Sequence, residues 1–177
     1  MASWAEEKRP LRLVEQTVAR RDPDPKALAC YGLLMRQWDA TGKRNEQLWL
    51  RFVDGRPVSA MTTQFLDGCC ERLATQGKSA LLLVWDNASW HVSKEVRAWI
   101  GRHNRAVKRG EKAVRIVSCF LPSKSPWLNP IEPKWRHGKR WISEPARLLT
   151  AHEIAERVCA CYGCLHEPHL SLPQEVA

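Results

Sequence analysis

The sequence predicts a mixed α/β fold, a sheet with helices on both faces. Three observations carry this. An early pair of apolar segments is joined by a short polar loop, as in an antiparallel hairpin. Two later runs, Ala80 to Trp85 and Val114 to Leu121, are continuously apolar and of strand length, as expected of strands covered on both faces. Segments with apolar residues at helical spacing lie between and after those runs.

In chain order, residues 1 to 26 are polar and basic around one apolar patch, Leu11, Leu13, Val14 and Val18, and end in the turn signal Asp22-Pro-Asp-Pro25. Ala27 to Met35 reads as the first hairpin strand. Thr41 to Asn45 forms the loop, and Gln47 to Val53 alternates Leu48, Leu50 and Phe52 on one face. After the turn Asp54 to Pro57, residues Val58 to Ala74 follow helical spacing through Met61, Phe65, Leu66, Cys69, Cys70 and Leu73, with Ser59 or Thr62 as the expected cap. Val92 to His103 is a second helix, capped by Ser93, with Val96, Trp99 and Ile100 inward. Asn104 to Lys112 is expected to be a basic loop. Pro122 to Pro133, rich in Pro and Ser, is loop. Lys134 to Ile142 and Ala151 to Tyr162 are helices, the second opened by a capping box of Thr150 and Glu153.

The 177 residues suffice for one domain with a core. The boundaries expected are 1–145 for the catalytic unit, its motif core at 81–141, and 146–177 for a helix and tail packed on it. The formal charge of +9 favours a polyanionic partner, nucleic acid before membrane surface. No apolar run reaches the ~20 residues that span a bilayer, and the first residues lack a signal-peptide core, so a cytoplasmic location is expected. Seven cysteines, an odd number, fit reduced and mostly buried thiols better than a disulfide framework.

The chemistry gathers at two places. Asp86 directly follows the most apolar strand, where α/β sheets commonly place ligand sites; alone, it is better explained as a turn aspartate. Beyond the second apolar strand, a loop stiffened by Pro122, Pro126 and Pro130 presents Glu132, and Pro133 fits the first helical position. Two oxygen ligands on neighbouring elements suit a hard divalent ion such as Mg²⁺.

Asp86-Asn87-x-x-x-His91 at a strand end, followed by Leu121-Pro122-x-x-Ser125-Pro126-x-Leu128-Asn129-Pro130-Ile131-Glu132-x-x-Trp135, resembles the mariner-related transposases of bacterial insertion sequences. The resemblance is strong from Leu81 to Trp141 and compatible from Leu11 to Leu73. It implies a ribonuclease-H-like DDE catalytic domain that cuts and joins DNA with Mg²⁺ or Mn²⁺. By it, Asp86 is the second acidic residue of the triad and Glu132 the third, both metal ligands. Asn87 and His91 match the positions just after the aspartate and are expected to support it; a histidine bonded to backbone at a helix start explains His91 equally well. Lys108, Arg109, Lys112, Lys124, Lys134, Arg136, Lys139 and Arg140 are the expected contacts to DNA phosphates. Trp135 and Trp141 are expected to pack. The partners implied are transposon-end and target DNA, a second copy of the chain, or a fragment encoded upstream.

Three departures from the pattern stand out. The family's first aspartate belongs on the central strand, and no aspartate here follows an apolar strand of that kind; Asp22, Asp24, Asp39 and Asp54 all sit in turns or loops. The sheet is therefore expected to lack its first, central strand, and the chain alone to be weak or inactive. The interval from Asp86 to Glu132 is also longer than the resemblance implies, with the surplus expected in Asn104 to Lys112. Lastly, Lys124 stands where an aromatic is usual. A non-catalytic DNA-binding remnant, or a subunit regulating an intact transposase, is the competing function. The tail pattern Cys159-x-Cys161-x-x-Cys164-x-His166-x-x-His169 invites a zinc module, but Cys159 and Cys161 point apart on a helix, so buried thiols at a helix end are the better expectation.

Overall fold

The computed structural model describes residues 28–39, 41–143 and 147–172, together with the backbone of 2–4 and 10–12. The expected apolar patch continuing through Leu13, Val14 and Val18, and the turn at Asp22 to Pro25, lie outside the described residues. The elements are strands β1 (Ala2–Trp4), β2 (Pro10–Arg12), β3 (Ala29–Trp38), β4 (Arg44–Val53), β5 (Ala80–Trp85) and β6 (Arg115–Phe120), and helices α1 (Ser59–Thr75), α2 (Lys94–Lys108), α3 (Glu132–Ile142) and α4 (Ala151–Tyr162). The architecture is the expected mixed α/β, consistent with a ribonuclease-H-like fold.

The hairpin is longer than its apolar core suggests. β3 and β4 pair antiparallel from Ala29↔Val53 to Trp38↔Arg44, and the polar outer part adds a cross-strand ion pair, Arg36 to Glu46 at 2.9 Å. β5 and β6 pair in parallel, Ala80↔Arg115 to Trp85↔Phe120, with α2 as the crossover between them. Strands β3–β4 and β5–β6 form separate two-stranded sheets. α1 bridges them: Met61, Phe65, Leu66, Cys69, Cys70 and Leu73 share one core with Tyr31, Met35, Trp49 and Val53 from the hairpin and Leu81, Leu83 and Trp85 from β5. Each such side chain contributes ~1.5–3 kcal/mol on burial, so this core sets the relation of the two sheets. The opposite face of β4, through Leu50 and Phe52, is covered by Ala155, Val158 and Cys159 of α4.

The expectation that both apolar strands are covered on both faces is corrected here. β5 alternates, with Leu81, Leu83 and Trp85 buried while Leu82 is 65% and Val84 46% exposed. Ile116 is the buried residue of β6, and Val117 and Phe120 stay largely exposed. α1 and α2 cover one face, whereas α3 and α4 lie over the hairpin rather than over β5–β6.

The basic loop expected at Asn104 to Lys112 is also corrected, because α2 continues to Lys108. Asn104 is the reason it does so productively: its amide donates to the Ile116 carbonyl at 2.8 Å, and its side-chain oxygen accepts from Ile116 N at 2.9 Å. His103, buried beside it, bonds the Val114 carbonyl at 2.8 Å. Ser93 caps the helix as expected, accepting from Val96 N. α1, by contrast, has no side-chain cap: Ser59 bonds Ser93 at 2.9 Å, and Thr62 bonds Tyr31 at 2.8 Å. α3 begins at Glu132, so Pro133 is its second residue rather than its first. α4 carries the full Thr150–Glu153 capping box. All seven cysteines are free; Cys69, Cys70 and Cys159 are buried and Cys119 is exposed, so burial is less general than expected. No helix among the described residues is long and apolar enough to cross a membrane.

Candidate active site

The apolar β5 delivers Asp86 to the carboxyl end of the parallel pair. Its Oδ1 accepts from Ala88 N at 3.0 Å, an Asx turn that fixes the side chain against its own backbone. The same oxygen lies 2.8 Å from His91 Nδ1. His91 is thus bonded to the carboxylate, and its ring stacks on Trp85 with centres 5.1 Å apart, with Tyr31 and Trp90 beside it. The backbone-bonded alternative for His91 is not what the structure contains. Asp86 keeps a side-chain exposure of 47%, held but open.

Asn87, expected to support Asp86 by orienting the carboxylate or a metal-bound water, uses its amide nitrogen to join strand ends. Its Nδ2 donates to the Leu121 carbonyl at 2.7 Å, and Leu121 N donates to the Trp85 carbonyl at 2.8 Å. These bonds join the two strand ends from which Asp86 and the Pro-rich loop depart. The loop then makes one 3-10 turn, Pro126–Leu128, and Asn129 accepts from Glu132 N through its carbonyl at 3.1 Å. Buried Ile131 roots the loop, and Trp135, one turn into α3, packs against Gly32 of β3. A Cβ at Gly32 would lie 2.5 Å from the Trp135 ring, so this close approach requires glycine. Sequence reading missed Gly32, Tyr31 and Trp90 as parts of the site's frame; only the helical position of Trp135 hinted at such a contact. Trp141, expected to pack, is 52% exposed because it faces away from the hairpin.

Asp86, His91 and Glu132 line one groove of about 810 Å³. Its walls are consecutive residues of β3, Cys30 to Trp38, and of β5, Ala80 to Trp85, so both strands present an edge to it rather than a face. Thr62, Phe65, Leu66 and Leu73 of α1 form the floor, and Leu128, Ile131 and Trp135 close the far side. β3 and β5 run in opposite senses along it: Tyr31 lies beside His91 at the Asp86 end, while Gln37 bonds Gln76, just before β5, at the other.

The expected phosphate-binding residues divide into two sets. Arg109 is held by both carboxylate oxygens of Glu111, which raise its pKa, and Lys112 lies 3.0 Å from Asp67 with the same consequence. Lys134 lies 3.6 Å from Glu46. Lys108, Lys124, Arg136, Lys139 and Arg140 are exposed and have no ion pair among the described residues, and Lys124 adopts a left-handed backbone, φ 57°. Arg136, Lys139 and Arg140 lie on α3, the helix that begins at Glu132.

The family model of the DDE superfamily endonucleases matches residues 15–155. No curated protein and no solved structure matches the chain. Endonucleases of this superfamily act on DNA and generally depend on divalent metal ions. Two carboxylates and a histidine lining one groove, on strand and helix ends stiffened by proline and joined through Asn87, suit that chemistry. The match extends over well more than half of the chain, from before β3 into α4, and the chain belongs to the DDE superfamily of endonucleases.

Proposed function

We propose that this domain performs DNA transposition chemistry of the mariner-related insertion-sequence kind, with Asp86 and Glu132 as ligands to Mg²⁺ or Mn²⁺. Held there, such an ion would supply Lewis-acid activation of water, and then of a 3′-hydroxyl, for in-line attack on a DNA phosphate. His91 holds Asp86 in place, Asn87 ties the Glu132 loop to the strand that carries Asp86, and basic side chains around α3 hold the DNA backbone. The convergence of Asp86 and Glu132 on one groove carries this reading.

The third carboxylate enters, in this proposal, on a strand supplied from outside residues 1–177, by an upstream-encoded segment. Both walls of the groove are strand edges with no partner strand among the described residues, and such edges take up further strands readily. Because β3 and β5 run in opposite senses, a strand parallel to β5 would be antiparallel to β3. Its carboxyl end would then stand beside Asp86, and the five strands would make one mixed sheet. The exposed Leu82 and Val84, and the buried Trp85 indole N–H that has no partner among the described residues, border the same groove.

The test is metal-dependent nicking of a plasmid bearing the element's ends, by the chain alone and by the chain extended through its upstream coding sequence. The extended product is expected to nick in Mn²⁺ or Mg²⁺, and Asp86→Ala or Glu132→Ala to abolish it. Nicking that survives both substitutions overturns the assignment. Specific DNA binding with no cleavage by the extended product would favour a regulatory, non-catalytic subunit.

A further inference from the structure

The tail after α4 carries a second set of metal-ligand side chains, away from the groove. Gly163, in the left-handed conformation at φ 62°, ends the helix and turns the chain back. The tail then joins β4: Leu170 N donates to the Phe52 carbonyl at 2.8 Å and Asp54 N to the Leu170 carbonyl at 2.9 Å. This places His166 and His169 against Phe52, beside His152 and Glu156, which lie one turn apart on α4.

The ring nitrogens are arranged in an uncommon way. His166 Nδ1 lies 2.9 Å from Glu156 Oε1, and His169 Nδ1 lies 2.7 Å from Asp54 Oδ1. An ionised carboxylate only accepts hydrogen bonds, so each Nδ1 carries its ring's proton and each neutral ring has its lone pair on Nε2. Those two Nε2 atoms lie 3.2 Å apart. Two lone pairs facing at that distance repel unless a cation stands between them. A tetrahedral zinc ion with Zn–N of ~2.0–2.1 Å holds its nitrogen ligands about 3.3 Å from each other. A carboxylate on the far nitrogen of each ring is the usual way such ligands are oriented. A ring nitrogen of His152 lies within 4.8 Å of both a Glu156 oxygen and a ring nitrogen of His166.

We propose that His166 and His169 bind one zinc-class divalent cation through their Nε2 atoms, with Glu156 and Asp54 orienting the two rings. The cysteines of the tail pattern are not the ligands. None of Cys159, Cys161 and Cys164 belongs to the ligand-atom group that gathers His152, Glu156 and His166. Through those two carboxylates the ion ties the tail, which holds both rings, to α4 and to the end of β4.

The experiment uses untagged full chain carrying Asp86→Ala and Glu132→Ala, so that the candidate catalytic pair adds no site. Zn²⁺ is titrated against a chromophoric chelator, and Co²⁺ is followed by visible absorption. One equivalent is expected to bind at micromolar concentration or tighter, with tetrahedral cobalt bands and no thiolate-to-cobalt charge transfer. His166→Ala and His169→Ala are each expected to lose binding by ~100-fold or more, and Asp54→Asn, which keeps every ligand ring, by ~10–100-fold. Absence of micromolar binding overturns the proposal, as does full binding in His169→Ala or a charge-transfer band from sulfur. If either alanine variant fails to fold by circular dichroism, the unsubstituted tail's cobalt spectrum and Asp54→Asn decide. A proton shared between His166 and His169 in place of the ion would give no zinc uptake at all.

Discussion

His91 Nδ1 lies 2.8 Å from Asp86 Oδ1, and the imidazole that makes this contact is stacked on Trp85, the residue immediately before that aspartate. The carboxylate is therefore fixed from two directions, by its own turn at Ala88 and by a ring that is itself fixed on the sheet. Oδ2 has no hydrogen-bond partner among the described residues, which leaves one oxygen of a positioned carboxylate facing the groove. Substitution of His91 by alanine should leave that carboxylate to rotate.

The expected outcome for His91→Ala is a cleavage rate of the extended product lower by about tenfold, equivalent to ~1.4 kcal/mol of barrier. The Mn²⁺ concentration needed for half-maximal nicking should rise with it, which a loss of folding alone would not produce. Single-turnover nicking across a metal titration measures both. An unchanged metal dependence would remove His91 from the positioning of Asp86.

Gly32 and Trp135 make the second prediction. A methyl group at Gly32 meets the Trp135 ring at 2.5 Å, and Trp135 sits one turn after Glu132. Gly32→Ala should destabilise the fold by ~1–3 kcal/mol through overpacking. Its cleavage should fall further than stability explains, because the ring that must shift belongs to the helix carrying Glu132. Trp135→Leu, which removes the obstructing ring, should restore much of the stability in the double variant. Chemical denaturation of the two single variants and the double variant checks this.

What could be read in the sequence depended on whether a residue's neighbours were local. Asp86 and Glu132 stood out because strand, turn and proline signals adjoin them in the chain. The full length of α2 did not, since Arg102, Arg105 and Lys108 form its solvated side and look like a basic loop when read in order. What extends the helix is Asn104 gripping the Ile116 backbone, a contact across twelve residues that no local pattern announces. The pattern of β5 misled for a related reason. Its six residues are apolar enough for two covered faces, but only α1 and α2 supply a cover, and Leu82 and Val84 are left out. The tail pattern contained His166 and His169 but not the side chains they meet; Asp54, His152 and Glu156 come from elsewhere and join them only in the folded chain.

The capping box of α4 predicts a pH dependence. Hydrogen bonds from Arg147, then from the Thr150 backbone, hold the Glu153 carboxyl down to about 2 from its ordinary 4.5. A carboxylate depressed on folding stabilises the folded state above its unfolded pKa, and that contribution is lost as pH falls toward the folded one. The Tm of the chain should therefore exceed that of Glu153→Gln by a constant margin above pH 4.5, and the margin should close between pH 4.5 and about 2. Thermal melts of the two proteins over that range measure it. A margin that persists at the acid end would mean that the carboxylate charge is not what stabilises the helix start.

The two sets of cations should separate in their response to salt. Arg109 is already held by both oxygens of Glu111, and Lys112 by Asp67, so bringing either to a DNA phosphate would first break an existing pair. Lys139 and Arg140 have no such partner among the described residues and lie exposed in the last turn of the helix that starts at Glu132. Each phosphate contact contributes roughly one to the slope of log affinity against log salt. Lys139→Ala and Arg140→Ala should each flatten that slope by about one for non-specific duplex DNA. Arg109→Ala should leave it nearly unchanged, and Glu111→Gln, which frees the guanidinium, should steepen it rather than flatten it. Fluorescence anisotropy at several salt concentrations distinguishes these outcomes. A flattened slope in Arg109→Ala, with none in Arg140→Ala, would move the DNA path from α3 to the end of α2.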